Sequence, residues 1–243
     1  MTDNNNLPAE IRGNAVDYVT AGAKAVLGMV PFAGSLLAEI AGSVIPKQRV
    51  DRIADFAARL EARLSHLERD RVSEAVTDEE FTDLTEEALR QASRATTLER
   101  REYLARLLAS SLSPEAISYS ETKHLMRLLG ELNDVEVIWL RFFAVPTFGG
   151  DEEFRELHAD VLEPRHAYIG SSTKEAEAGA IQESYTEHLV RLGLVDEQIQ
   201  KDREGKPEFD RFSGDFKVSY RHTSTLGSLL LRHIGLAPPE REQ

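Results

Sequence analysis

Residues 98–143, LERREYLARLLASSLSPEAISYSETKHLMRLLGELNDVEVIWLRFF, are the densest apolar run of the chain that keeps helical spacing. Leucines recur there at intervals of three and four, which places them on one face of a helix. The side chains that this spacing turns inward are Tyr103, Leu104, Leu107, Leu108, Leu112, His124, Leu125, Leu128, Leu129, Leu132, Val137, Trp139, Leu140 and Phe143. We expect this stretch to form the centre of a helical bundle.

Helix starts around this stretch are indicated by a hydroxyl or amide residue followed three positions later by glutamate. In such a capping box the two side chains satisfy free N–H groups of the first helical turn. Three pairs fit the pattern: Thr77 with Glu80, Thr96 with Glu99, and Asn133 with Glu136. We expect the array of helices to end near Pro146, because proline and the following glycines interrupt the helical pattern.

The segment that precedes the central stretch, residues 47–69, has the pattern of an amphipathic helix. Its apolar residues fall on one face at spacings of three and four: Ile53, Phe56, Ala57, Leu60, Leu64 and Leu67. Arginine and glutamate occupy the opposite face. The pattern is too short to distinguish a helix of the core from a short coiled-coil seam, so both interpretations stay open.

Residues 21–46, AGAKAVLGMVPFAGSLLAEIAGSVIP, are apolar almost all round and rich in glycine and alanine. Pro31 divides them into two arms, each shorter than the roughly 20 residues that cross a bilayer. In the second arm Gly34, Ala38 and Gly42 are four residues apart, which makes a ridge where helix backbones can approach closely. The segment could be a buried helical hairpin, a membrane-inserting or membrane-lying hairpin, or an oligomer contact.

The carboxyl-terminal part, residues 180–243, has the outline of a winged-helix-like module. A helix is predicted at 180–192 with Ile181 inward, strands at 195–199 and 216–220, and a closing helix at 225–234. Residues 163–177, ahead of this module, look like a loop. Within residues 181–243 there are nine lysines and arginines against eleven carboxylates, so DNA binding is disfavoured.

Composition excludes several classes of function. The net charge is −13, which argues against broad nucleic-acid binding, and the chain contains no cysteine, which removes disulfides and thiolate metal sites. The polar, acidic amino terminus predicts a cytoplasmic protein. A peripheral position at the inner membrane is the alternative. Nucleotide-binding and nucleophile motifs are absent, and no pair of the seven histidines has the spacing of a helical zinc site. We therefore expect no enzymatic activity, cofactor, metal site or small-molecule substrate.

Three segments together resemble the Abi-alpha group of abortive-infection proteins, a bacterial family. LERREYLARLLASSLSPE (residues 98–115) looks like the family's leucine-rich helix, and HLMRLLGELNDVEVIWLRFF (124–143) is similar to its next element. HLVRLGLVDEQ (188–198) with YRHTSTLGSLLLRHIG (220–235) resembles its ending, which includes Thr225 and Gly227. The resemblance implies a role in phage defence and transfers no catalytic residue.

The sequence thus predicts a mainly α-helical protein that ends in a winged-helix-like module with one β-hairpin. The predicted parts are an apolar hairpin (1–46), a helical bundle (47–147), an acidic linker region (148–179) and the module (180–243). The leading hypothesis is a non-enzymatic defence protein acting through membrane or protein contact. The alternative is a regulatory or scaffolding protein that binds a protein or, less plausibly, DNA. We expect a protein partner or self-association, and Gly34, Ala38 and Gly42 are the candidate contact face.

Overall fold

The computed structural model describes residues 49–65, 72, 74–75, 77–113, 116–145, 151–165, 170–209, 214 and 216–238. The chain is mainly helical with a small antiparallel sheet near its end, which confirms the predicted fold class. The apolar segment 21–46, with Gly34, Ala38 and Gly42, lies outside the described residues. Among the residues described, no helix is both long and apolar enough to span a membrane.

The elements are α1 (Val50–Leu64), α2 (Glu79–Arg94), α3 (Leu98–Ser110), α4 (Tyr119–Glu131), α5 (Asp134–Ala144), α6 (Glu152–Leu157), α7 (Ala159–Leu162), α8 (Thr173–Arg191), β1 (Val195–Ile199), β2 (Val218–Thr223) and α9 (Thr225–His233). They form two compact units, Met1–Arg127 and Leu128–Gln243, and the division falls inside α4. The division between the two compact units does not coincide with the domain boundaries predicted at residues 46, 147 and 179. Those boundaries stay predictions.

The first unit is built on α1, α2 and α3, which pack on one another through apolar side chains. Each helix contributes residues with almost no accessible surface, among them Phe56, Leu60, Phe81, Leu84 and Leu104. Burying a side chain of this size stabilises the fold by about 1.5–3 kcal/mol. Every described residue of the predicted inward face of α1 is buried, whereas Leu67 lies outside the described residues and Tyr103 of α3 is only half-buried.

Two helix starts in the first unit differ from prediction by one residue. Asp78, not Thr77, is the N-cap of α2, because its carboxylate accepts from the N–H groups of Glu80 and Phe81. Thr97, not Thr96, caps α3, and its hydroxyl accepts from the Arg100 N–H. In both cases the residue with extended backbone is the one whose side chain can reach the first turn.

The first part of α4 contains one residue that was wrongly predicted to lie in the core. His124 is exposed, while its neighbours Leu125 and Met126 are buried together with Thr122. These buried positions recur at intervals of three and four, and His124 falls between them on the outer side of the helix. The carbonyl of Met126 accepts a 2.8 Å hydrogen bond from the Gln91 side chain of α2.

The second unit is organised around α5, which contacts α7, α8, β2 and α9. The predicted capping box is confirmed: Asn133 Oδ1 accepts from the Glu136 N–H, and a carboxylate oxygen of Glu136 accepts from the Asn133 N–H. The acidic helix predicted after residue 151 is interrupted at His158, which gives the two short helices α6 and α7.

Helix α8 begins earlier than predicted, so the loop prediction for residues 163–177 was wrong for its last part. Ser172 and Glu175 form a capping box at the start of α8, and the helix then runs for 19 residues. Ile181, predicted to point inward, is exposed. With seven more residues ahead of the predicted start, α8 extends beyond the core that its second half covers, where Thr186 and Leu189 are buried.

The two strands form an antiparallel pair in which Val195 lies opposite Thr223 and Glu197 opposite Arg221. Strand β1 has its predicted bounds, but β2 lies at Val218–Thr223 rather than at 216–220. The register changes between Gln198 and Ile199, which leaves Ser219 as an extra residue in β2. The predicted helix, strand pair and closing helix are therefore present in the expected order.

Candidate functional site

The base of the hairpin is fixed by a junction between the end of α8 and the start of α9. Gly193 adopts φ +70°, the left-handed conformation predicted for the helix end. Ser224 then joins both helices: its N–H donates to the Leu194 carbonyl at 2.9 Å, and its hydroxyl donates to the Gly193 carbonyl at 2.6 Å. The same hydroxyl accepts from the Gly227 N–H at 3.0 Å and so caps α9.

Two further contacts anchor the strands to the helices of the second unit. The Thr223 hydroxyl donates to the Leu140 carbonyl of α5 at 2.9 Å. Arg221 of β2 pairs with Glu197 across the sheet at 2.7 Å and with Glu183 of α8 at 3.0 Å. A hairpin held at its base in this way can present its far end in one orientation, which a binding surface requires.

The far end of the hairpin is held by its own backbone and by a turn at Asp202. Gln200 N–H donates to the Lys217 carbonyl, and Lys217 N–H donates to the Glu208 carbonyl. The Asp202 carboxylate accepts from the N–H groups of Glu204 and Lys206, which closes the turn. The segment that carries Phe209 is thereby placed beside the segment that carries Phe216.

Three aromatic rings of the hairpin are exposed: Phe209 (57%), Phe216 (46%) and Tyr220 (55%). The rings of Phe209 and Phe216 contact each other at a centroid distance of 4.2 Å, with their planes tilted by 41°. The Tyr220 ring lies 5.7 Å from that of His222. We call Phe209, Phe216 and Tyr220 the aromatic hairpin surface. Its signal in the sequence is weak, because Phe209 lies in a charged segment between the two predicted strands and a strand pattern does not show that the ring of Phe216 is exposed.

Charges near this surface are largely balanced within the hairpin. Lys217 pairs with Glu208 at 3.2 Å, and Lys206 pairs with Glu204 at 2.7 Å. Arg221 is held by the two carboxylates of Glu197 and Glu183. Lys201 and Arg203 are exposed and lie next to Asp202. The hairpin therefore combines accessible apolar rings with a nearly neutral charge.

Buried polar pairs elsewhere in the second unit fasten its helices. His188 Nδ1 lies 2.7 Å from Glu136 Oε1, so this histidine of α8 pairs with a carboxylate of α5. Arg141, which is buried, pairs with Asp151 at 2.5 Å and lies over the Phe154 ring. Asp151 has φ +63°, an uncommon conformation for a residue with a side chain, and the ion pair stabilises it.

The first unit contains an arginine cluster, which we define as Asp55 and Glu102 with Arg59, Arg63, Arg101 and Arg106. Asp55 accepts from Arg59 and Arg101, and Glu102 accepts from Arg59, Arg63 and Arg106. Burial raises the pKa of Glu102, but the hydrogen bonds from the three arginines outweigh it and lower that pKa to about 2. The predicted amphipathic pattern of residues 47–69 placed arginine and glutamate on the outer face of that helix without showing which charges of α3 they meet.

His158 lies between α6 and α7 and has the carboxylates of Asp160 and Glu163 close to it in the sequence. No group of three or more histidines and carboxylates is arranged for a metal among the residues described, and His166 lies outside them. The ring of His158 packs on Phe154 at 4.6 Å, and burial lowers the pKa of this histidine.

Comparison with known proteins adds no relationship. No family model matches the chain, and neither a curated protein nor a solved structure is significantly similar to it. The resemblance to the Abi-alpha group, and the defence role that it implies, therefore stay predictions.

Proposed function

We propose that this chain is a non-catalytic binding protein whose second unit docks a partner protein through the aromatic hairpin surface. The observation that carries the proposal is the contacting pair Phe209–Phe216, half-exposed on an anchored hairpin. Single exposed apolar residues are common on protein surfaces, but two exposed rings in contact form a concentrated apolar surface, and Tyr220 adds a third exposed ring to the same hairpin.

Energetics support a docking role for these rings. Removing an aromatic side chain of this size from water contributes about 1.5–3 kcal/mol, and a few such residues account for most of the free energy of many interfaces. The hairpin is anchored through Ser224, Thr223 and Arg221, so little conformational entropy is lost when its rings are buried.

The charge of the hairpin indicates the chemistry of the partner. Ion pairs within the hairpin satisfy Lys206, Lys217 and Arg221, which leaves little net charge to attract an oppositely charged surface. The partner that fits is a protein with an apolar groove wide enough for two contacting rings and a polar rim that meets the ion pairs. Such an arrangement of apolar centre and polar rim is usual for protein interfaces.

Nucleic acid is a poorer fit to the same surface. Phosphate binding needs basic side chains that are available, whereas three of the five basic residues that the structure describes on the hairpin are paired with carboxylates. Helix α8, which would have to enter the groove of DNA, carries Glu175, Glu177, Glu183 and Glu187. These carboxylates would face the phosphates.

The test compares the full chain with Phe209→Ser/Phe216→Ser and with the control Leu157→Ser, which removes an exposed apolar residue of α6. Proteins of the host's soluble fraction that are retained by the full chain are purified. Their binding to the full chain and to each variant is then measured by calorimetry. We expect a partner that binds the wild type and the control with a negative heat-capacity change, and binds the double variant at least about tenfold more weakly.

Three outcomes would contradict this proposal. If the double variant binds the partner as tightly as the wild type, the two rings are not part of the interface. Salt-dependent retention on duplex DNA, with no protein partner, would favour the nucleic-acid alternative. Flotation with vesicles that is lost on deleting residues 1–46 would favour membrane contact by the apolar segment.

The resemblance to the Abi-alpha group would make this binding part of phage defence. We propose that role because of the resemblance of the leucine-rich segments quoted above. It is tested by plaque counts on bacteria that express the wild type, Phe209→Ser/Phe216→Ser or Leu157→Ser. Protection by the wild type and the control, with loss in the double variant, is the expected result. Equal plaque counts with and without the wild-type protein would overturn the defence role and leave the binding proposal standing.

A further inference from the structure

The arginine cluster of the first unit carries more positive than negative charge. Within the cluster as defined, four guanidinium groups meet two carboxylates, an excess of two positive charges, in a chain whose net charge is −13. All six side chains come from α1 and α3. Arginine does not lose its proton in proteins, so the surplus charge persists at every physiological pH.

Fastening of α1 to α3 does not require the whole cluster. Arg101, which is buried, donates to Asp55 at 2.6 Å and to the Ala95 carbonyl at 2.9 Å, and so joins α1 to the start of α3. Arg106, in contrast, lies on the same helix as its partner Glu102, four residues away, so this pair adds no link between helices. The structural contribution of Arg106 is therefore limited to an ion pair within α3, which stabilises a helix only modestly.

The geometry brings three guanidinium groups to a single carboxylate. Arg63 Nη2 and Arg106 Nε approach the same oxygen of Glu102, at 2.5 and 2.7 Å, and Arg59 Nη1 lies 3.1 Å from the other oxygen. The two nitrogens on the shared oxygen are thus at most about 5 Å apart, a distance that one tetrahedral anion can bridge. The Arg63 and Arg106 side chains are 42% and 35% exposed.

We propose that Arg59, Arg63 and Arg106 bind a phosphate-type anion, with Glu102 holding the three guanidinium groups together. Guanidinium is planar and presents paired N–H groups that match two oxygens of a phosphate. Each of these arginines uses one or two of its five N–H groups on the carboxylates, which leaves donors for a ligand. An oligophosphate with two or more negative charges balances the surplus of the cluster.

The experiment titrates the full-length protein with pyrophosphate at low ionic strength, followed by calorimetry. The variant is Arg63→Gln/Arg106→Gln, and the matched control is Arg90→Gln, which removes an exposed arginine paired with Glu87 on α2. We expect saturable binding by the wild type and the control, and binding at least about tenfold weaker by the double variant. Circular dichroism verifies that each variant keeps its helices.

A second pair of measurements sharpens the assignment. Arg63→Lys/Arg106→Lys keeps both charges but loses the planar donors, so we expect its affinity for pyrophosphate to fall between those of the wild type and the glutamine variant. Vesicles with phosphatidylglycerol distinguish the source of the phosphate. Arginine-dependent binding to these vesicles without binding of pyrophosphate would support the same site with a lipid headgroup as its ligand.

Two results would overturn the inference. One is the absence of saturable binding by the wild-type protein to both pyrophosphate and the vesicles. The other is a glutamine variant that folds and binds either probe as tightly as the wild type. Should the double variant fail to fold, Arg106→Gln replaces it, because Arg106 makes no link between helices and its loss leaves the contacts of α1 with α3 intact.

Discussion

A β-carbon on Gly227 would lie 2.2 Å from the main-chain oxygen of Leu194 and 2.7 Å from a methyl group of Thr223. The first contact is with backbone, which cannot rotate away as a side chain does. Helix α9 therefore packs on the end of α8 at a distance that only glycine allows at residue 227. This close approach sets the position of the hairpin between the two helices.

Gly227→Ala is expected to lower the free energy of unfolding of the protein by at least about 2 kcal/mol, because the backbone of α9 must move away from Leu194. The loss should outweigh the gain in helix propensity that alanine brings, which is about 1 kcal/mol. Urea unfolding followed by circular dichroism measures the difference. The control is Ser228→Ala, an exposed position of the same helix. A Gly227→Ala protein as stable as the wild type would contradict the close packing.

Ser224→Ala removes the N-cap of α9 together with the hydrogen bond to the Gly193 carbonyl. Loss of a cap costs about 0.5–2 kcal/mol, and the Gly193 carbonyl, which loses its partner, adds to this. We expect a decrease of about 1–3 kcal/mol in the free energy of unfolding, measured in urea. Thr225→Ala, one residue further and exposed, should change it by less than about 0.5 kcal/mol. Equal effects of the two substitutions would argue against the junction.

Glu102 is expected to make the first unit sensitive to acid. Its pKa in the folded protein is lowered from 4.5 to about 2, so its contribution to stability is complete above pH 4.5 and is lost as the pH falls toward 2. Glu102→Gln should therefore lower the free energy of unfolding by about 1–3 kcal/mol at pH 7, and the difference from wild type should shrink between pH 4.5 and 2.

The matched control for this prediction is Glu204→Gln, since the Glu204–Lys206 pair is highly exposed. Exposed pairs contribute little, so this variant should behave as the wild type at both ends of the range. Chemical unfolding at pH 7, 4 and 2.5 gives the comparison. A difference between Glu102→Gln and wild type that stays constant over this range would show that the carboxylate is not held by the arginines in its charged form.

His233 is expected to destabilise the second unit at mildly acidic pH. Burial, and to a lesser extent the charge of Arg232, lowers the pKa of this histidine below 6.5. The unfolded chain therefore takes up a proton before the folded one, and stability that is complete above pH 6.5 decreases as the pH falls below it. His233→Gln should show a smaller decrease between pH 7.5 and 5.5. An unchanged pH dependence in this variant would exclude His233 as the cause. His124→Gln, at an exposed position, is the control.

The elements that could be predicted from sequence are those whose signal is contained in a few neighbouring residues. The capping box of Asn133 and Glu136, the end of α8 at Gly193 and the bounds of β1 are examples. The start of α8 was missed although Ser172 and Glu175 carry the same signal, because Gly170 and the serines beside it also fit a loop. Ile181 was wrongly predicted to be buried for the same reason. Because α8 starts earlier, the turn that contains Ile181 lies beyond the core.

The sequence by itself determined most of the helices, the strand pair and the apolar faces of α1 and α5, because helix periodicity and capping act within one or two turns. Only the tertiary structure decided which distant groups meet: Arg59 with Glu102, Glu136 with His188, and Thr223 with Leu140, separated by 43, 52 and 83 residues. An outward-facing charge has many carboxylates available to it in this acidic chain. The packing of α1 on α3 and of α5 on α8 and β2 selects one of them, because a hydrogen bond needs its two atoms within about 3 Å.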